Sequence, residues 1–119
     1  MRHHDNKRKF HREKRQRVAL MRSLSRSLVM HEAIETTVAK AKELRPYIER
    51  LVTTSKKPSL ASRRSAMVKI GDASAVKKLH DEIAKRYADR NGGYTRIIRL
   101  GRVGKRVGEQ ARIEFVQDK

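Results

Sequence analysis

Between Phe10 and Met30 the apolar residues and the arginines of this chain take opposite sides of one helix. At about 100° per residue, Phe10, Leu20, Met21, Leu24 and Leu28 fall within an arc of about 100°. Arg8, Arg12, Arg15, Arg22 and Arg26 cluster opposite, within about 80°. Arg17 departs from the pattern and points into the apolar arc. A segment of this kind must lay one side on a core and turn a row of guanidinium groups towards something else.

The remaining chain supplies partners for the apolar side. Ala33 to Val38 changes the period to two, with Ile34, Thr36 and Val38 on one side, and predicts a short strand. Helical spacing returns with Ala41, Leu44, Ile48, Leu51 and Val52, up to about Ser55. Pro46 lies inside this stretch, where it deletes a backbone donor and crowds the preceding turn. Either the helix kinks there or it begins later than the pattern suggests. Lys57-Pro58-Ser59 is a break, and Ser59 suits the N-cap of a short helix ending near Gly71. Val76, Leu79, Ile83, Ala84 and Tyr87 mark a further helix, stopped by Asn91-Gly92-Gly93.

Tyr94 to Leu100 and Ala111 to Val116 read as strands; in the second, Ala111, Ile113 and Phe115 alternate with Arg112 and Glu114. Their connection holds Gly101, Gly104 and Gly108, so a hairpin with a flexible basic loop at about 101–110 is expected. Residues 1–9 are polar and basic without apolar periodicity, which predicts a flexible extended arm. The order suggests one α+β domain over 1–119, globular from residue 10. Its small three-stranded mixed sheet is packed by about four helices.

Charge limits what such a domain can be for. Lys and Arg number 31 against 13 Asp and Glu, a formal net charge of +18. Residues 1–26 contribute +8 and residues 85–106 another +7, with Arg ahead of Lys in both. Guanidinium groups form paired bonds to phosphate oxygens, and each phosphate neutralised releases condensed counterions. A polyanion is therefore the expected partner. The few aromatic residues are Phe10, Tyr47, Tyr87, Tyr94 and Phe115, most of them on apolar stripes. A stacking platform for single strands is not to be expected, and folded RNA held by its backbone fits better.

Other classes fare poorly. Cys is absent, which excludes disulfides, thiolate metal sites and Cys nucleophiles. His3, His4 and His11 lack a helical ligand spacing, and His31 and His80 read as partly buried, hydrogen-bonded residues. No cofactor or metal is expected. Glu32 with Glu35, or Asp81 with Glu82, could be imagined as an acid/base pair, but acids on basic helices ordinarily make surface ion pairs. No small-molecule substrate or enzymatic role is expected. No apolar run approaches the roughly 20 residues of a membrane span, and the first residues have no secretory signal pattern. A cytoplasmic chain without a membrane partner is the expectation. A DNA-architectural protein is the rival reading, since charge alone does not separate it from an RNA binder.

Several short motifs carry a resemblance. They are the opening Met1-Arg2-His3, Ser27-Leu28-Val29 with His31-Glu32, then Ile34, Thr36-Thr37 and Lys40-Ala41-Lys42-Glu43-Leu44-Arg45, and finally Gly92-Gly93-Tyr94-Thr95-Arg96-Ile97. In this order and separation the chain resembles, along nearly its full length, the bacterial large-subunit ribosomal proteins numbered seventeen. The resemblance implies a structural constituent of the large subunit, bound to its rRNA near the exit of the peptide tunnel. It implies neighbouring ribosomal proteins as partners and no homo-oligomer. It assigns the RNA contacts to the arm and arginine row (Arg2, His3, Lys7, Arg8, Lys9, Arg12, Arg15, Arg22 and Arg26), with two further groups. Those are Lys40, Lys42 and Arg45, and Tyr94, Arg96 and Arg99.

Overall fold

The computed structural model describes residues 13–104 and 108–117. The arm 1–9, Phe10, Arg12 and the middle of the basic loop lie outside the described residues.

The first helix, α1 (Lys14–His31), starts where Gln16 Oε1 accepts from the Glu13 amide at 3.4 Å. It buries Ser25, Leu28 and Val29, with Met21 and Leu24 packed against the core from partly buried positions. The helix stops on Glu32, which turns left-handed at φ 64° and sends its N–H to the Leu28 carbonyl at 2.7 Å. A side chain costs about 1–2 kcal/mol in that conformation, so its surroundings must hold it there. The chain then enters β1 (Ala33–Thr37), one residue shorter than the alternation suggested, because Thr37 serves as the next N-cap. Its Oγ1 accepts from the Lys40 amide at 3.3 Å.

The second helix, α2 (Val38–Ser55), is continuous through Pro46 and begins earlier, not later, than the apolar spacing alone indicated. Proline takes one donor from the carbonyl four residues back, that of Lys42. Both residues are exposed, so water can serve that carbonyl. The opposite side of α2 buries Ala41, Leu44, Ile48, Leu51 and Val52, and packs on the sheet.

Ser59 caps α3 (Leu60–Ile70) reciprocally with Ser62, at 2.9 and 3.0 Å. Gly71 closes it at φ 75°. Asp72 then caps α4 (Ala73–Lys78), which widens into a π turn (Leu79–Ile83) before a last α-helical turn, α5 (Ala84–Arg86). Nδ1 of His80 lies 3.1 Å from the Val76 carbonyl, four residues back. It competes with the helix's own amide for that acceptor, a recognised cause of ladder irregularity. His80 is buried and also meets Ser62 Oγ at 3.3 Å, whereas His31 is exposed, against the partly buried position expected for it.

The hairpin forms from β2 (Thr95–Gly101) and β3 (Gln110–Phe115). Strand order is β1-β3-β2 and every pairing is antiparallel, so the sheet is not mixed. The hairpin places β3 between β1 and β2. Leu100 is passed over between the pairs Arg99–Ala111 and Gly101–Gln110, a bulge that Gly101 at φ 75° accommodates. Ala111, Ile113 and Phe115 face α2, as their alternation requires.

Glu32 gains what holds it. Its carboxylate meets Arg86 at 2.6 Å, Lys78 at 3.3 Å and Gln117 Nε2 at 3.3 Å, while its carbonyl accepts from Phe115 N at 3.0 Å. The hydrogen bond from Arg86 sets its pKa below the ordinary value of 4.5; partial burial opposes this and Lys78 adds to it. A carboxylate lowered on folding contributes its stability above the unfolded pKa and loses it as pH falls through the folded one. Glu32→Gln is expected to cost about 1–2 kcal/mol at neutral pH and to shrink the loss of stability on acidification. Denaturant melts of both proteins across the acid range check this. An equal acid response would refute it.

Candidate nucleic-acid interface

The few carboxylates divide the cations into two groups. On the outer face of the sheet Glu114 bridges Arg96 and Arg112, each at 2.6 Å. The bonds from Arg112 and then Arg96 hold its carboxyl below the usual range, with burial opposing. Arg99 reaches Glu109 at 3.4 Å. Arg63 meets Asp81 at 3.3 Å, and Arg45 meets Glu49 at 3.5 Å. Glu49 also accepts from the Thr95 amide at 3.2 Å and hydroxyl at 2.8 Å, tying α2 to the start of β2.

The helical side differs. Arg26, Lys42, Arg64 and Lys69 are exposed and have no carboxylate partner among the described residues. Lys40 is half-buried at the start of α2. Arg15 is exposed and only 4.0 Å from Glu13, a contact of little strength at that exposure. The arginine row is not diametrically opposite the core. Burial of Ser25 and Val29 turns the packed face of α1 towards it, so Arg15, Arg22 and Arg26 run along the edge of the packed face. Arg22 consequently lies over Gly71: a Cβ there would sit 2.6–3.0 Å from its guanidinium atoms.

Of the residues assigned to RNA contact, Arg15, Arg22, Arg26, Lys42 and Arg45 come to the helical surface, and Arg96 and Arg99 to the sheet. Arg2, His3, Lys7, Arg8, Lys9 and Arg12 lie outside the described residues. Tyr94 is a correction, being 1% exposed. Its ring packs 5.2 Å from that of Tyr87, and its hydroxyl is engaged by Thr53 at 3.1 Å and Lys56 at 3.2 Å. The Gly-Gly turn delivers Tyr94 into the core, where it offers no surface to a ligand. Arg64, Lys69 and the half-buried Tyr47 were not singled out from sequence. Arg64 and Lys69 lie outside the two most basic segments, 1–26 and 85–106, although the adjacent Arg63-Arg64 pair was visible. Among the described residues no helix is long and apolar enough to cross a membrane, and no cluster of three His, Asp or Glu forms a metal site.

The comparison with known proteins decides the family. A model described as ribosomal protein L17 matches residues 20–116. The chain belongs to the ribosomal protein L17 family. It is similar to the large ribosomal subunit protein bL17 of Sphingopyxis alaskensis, 53% identical over 98% of this chain and 84% of that protein. The protein of the same name from Hydrogenobaculum sp. is 52% identical over 98% and 100%. That of Zymomonas mobilis is 50% identical over 98% and 83%. L17 is a family of structural, non-enzymatic proteins of the large ribosomal subunit, and in bacteria the ribosome is cytoplasmic. The enzyme question is thereby answered by kinship and not by the shape of the surface.

Position 71 of this L17 chain is doubly constrained, by its left-handed backbone and by the guanidinium above it. Gly71→Ala is expected to lower stability by about 1–2 kcal/mol, read as a shift in denaturation midpoint. An unchanged midpoint would mean that the Arg22 side chain moves aside freely and that the backbone tolerates a Cβ.

Proposed function

We propose that this chain holds folded large-subunit rRNA by its phosphates, as a single copy and a single domain, beside neighbouring ribosomal proteins and near the exit of the peptide tunnel. The observation that carries the RNA contact is the division of cations. Where carboxylates are supplied, on the sheet, the arginines are largely answered from within. Arg22 and Arg26 of α1, Lys42 of α2, and Arg64 and Lys69 of α3 have no carboxylate partner among the described residues, and that surface remains strongly positive. Uncompensated exposed cations on a folded frame favour a polyanion through counterion release.

The three aromatic rings of Tyr87, Tyr94 and Phe115 sit together in the core, which favours backbone recognition over base stacking. The proposed contact set is Arg15, Arg22, Arg26, Lys40, Lys42 and Arg45, together with the arm residues Arg2, His3, Lys7, Arg8, Lys9 and Arg12. Arg45, Arg96 and Arg99 take part more weakly, since each already shares a carboxylate. The tunnel-exit position and the protein neighbours rest on the family resemblance.

Arg26→Ala is expected to reduce the slope of log affinity against log salt by about one unit for structured rRNA. Arg112→Ala, which removes a partner of Glu114, should leave the slope nearly unchanged. Filter binding over a salt series measures both. Equal slope changes would remove the distinction between the surfaces, and preference for duplex DNA at matched salt would overturn the ribosomal reading itself.

A further inference from the structure

Helices α1, α2 and α3 meet at the C-terminal end of α3, and each sends a side chain there. Tyr47 of α2 donates its hydroxyl to the Lys69 carbonyl at 2.7 Å. Lys69 Nζ stands 5.8 Å from the centre of the Tyr47 ring. Arg22 of α1 lies against Gly71, the residue that closes α3. Its charge is near enough to Tyr47 to oppose the rise in phenol pKa that burial causes.

A cation at a helix C-terminus is ordinarily answered by the free carbonyls of the last turn. Here two of those acceptors are taken. The Lys69 carbonyl holds the Tyr47 hydroxyl, and the Met67 carbonyl accepts from the Gly71 amide at 2.8 Å. Among the described residues Arg22 donates to no carbonyl and no carboxylate, and Lys69 has no carboxylate either. Glu43, one helical turn before Tyr47, already has a partner of its own. The helix end supplies only about half a negative charge, so two cations converge with their charge incompletely offset. The bare backbone of Gly71 leaves room for the Arg22 guanidinium to lie against the end of α3, on the same side as Tyr47 and Lys69.

We propose that Arg22 and Lys69 form a seat for one phosphodiester group, with Tyr47 as a positioning residue that fixes Lys69 and the end of α3. This rests on the RNA-binding reading above and gives it a defined location. A singly charged, two-oxygen anion suits the pair: the guanidinium fork takes two oxygens and the ammonium adds a third donor.

The test uses the full chain and purified large-subunit rRNA, with affinity measured over a salt series. Arg22→Ala and Lys69→Ala should each weaken binding about tenfold. The double variant should fall well short of the product, and should lower the salt slope by about one unit in total. Tyr47→Phe, which changes no charge, should weaken binding with the slope unaltered, circular dichroism confirming the fold. Fully additive losses with a slope change of about two units would show two independent contacts and overturn the seat. So would unaltered binding in the variants while the parent binds. A parent chain without salt-dependent RNA binding would instead bring down the functional reading, and the seat with it.

Discussion

The Glu32 carboxylate joins parts of the chain that would otherwise repel one another. The protein carries 31 basic side chains and 13 acidic ones, so an acid that serves two cations matters more here than in a balanced protein. Glu32 draws Lys78 of α4 and Arg86 of α5 onto the end of α1, while its backbone carbonyl receives β3. The left-handed turn at Glu32 is what lets one residue do both: it ends the helix, reverses the chain into β1 and aims the carboxylate across at α4 and α5. The strain of that turn and the repulsion between Lys78 and Arg86 are both offset at the same point. Remote segments of the fold thus depend on one short sequence, His31-Glu32-Ala33.

The same scarcity governs the surface. Glu49, Glu109 and Glu114 lie beside or within the sheet, where they answer Arg45, Arg99, Arg96 and Arg112. Little negative charge remains for α1 or the outer side of α3. The arginine row keeps its charge because the fold puts its acids elsewhere. Paired and unpaired cations are one chemical species, separated only by the distance to a carboxylate.

Much of this was legible in the sequence, and the reasons are local. Period and punctuation located the main helices and strands: Ser59 and Gly71 bracket α3, and the alternation at Ala111, Ile113 and Phe115 faces the core. The effect of Pro46 could not be resolved, because the cost of a lost donor depends on whether that side of the helix is wet. The antiparallel order of the sheet depended on where β3 inserts, which is a long-range matter. Arg86 lies in a basic run and looks like a surface cation, yet its guanidinium turns to Glu32 some fifty residues away in sequence. Tyr94 erred in the other direction, since a motif assigns a role to a residue without saying which way its side chain points. The rotation of α1 that sets Arg22 on Gly71 came from Ser25, a buried polar residue whose hydroxyl returns to the Met21 carbonyl at 2.7 Å. Hydrophobic spacing gives such a residue no weight.

Salt ought to separate the two kinds of cation by sign. In the free protein the unanswered arginines repel one another across the helical surface, and added salt screens that repulsion. The ion pairs of Glu32 are partly shielded by the protein, so they lose less to screening than the exposed charges. The melting temperature of the free chain should therefore rise with ionic strength, while its affinity for rRNA falls over the same range. Thermal melts and binding measured in one salt series test both trends. A melting temperature that fell in parallel with affinity would mean that internal ion pairs outweigh surface repulsion. The positive surface would then be balanced within the protein, and counterion release would no longer favour the proposed RNA contact.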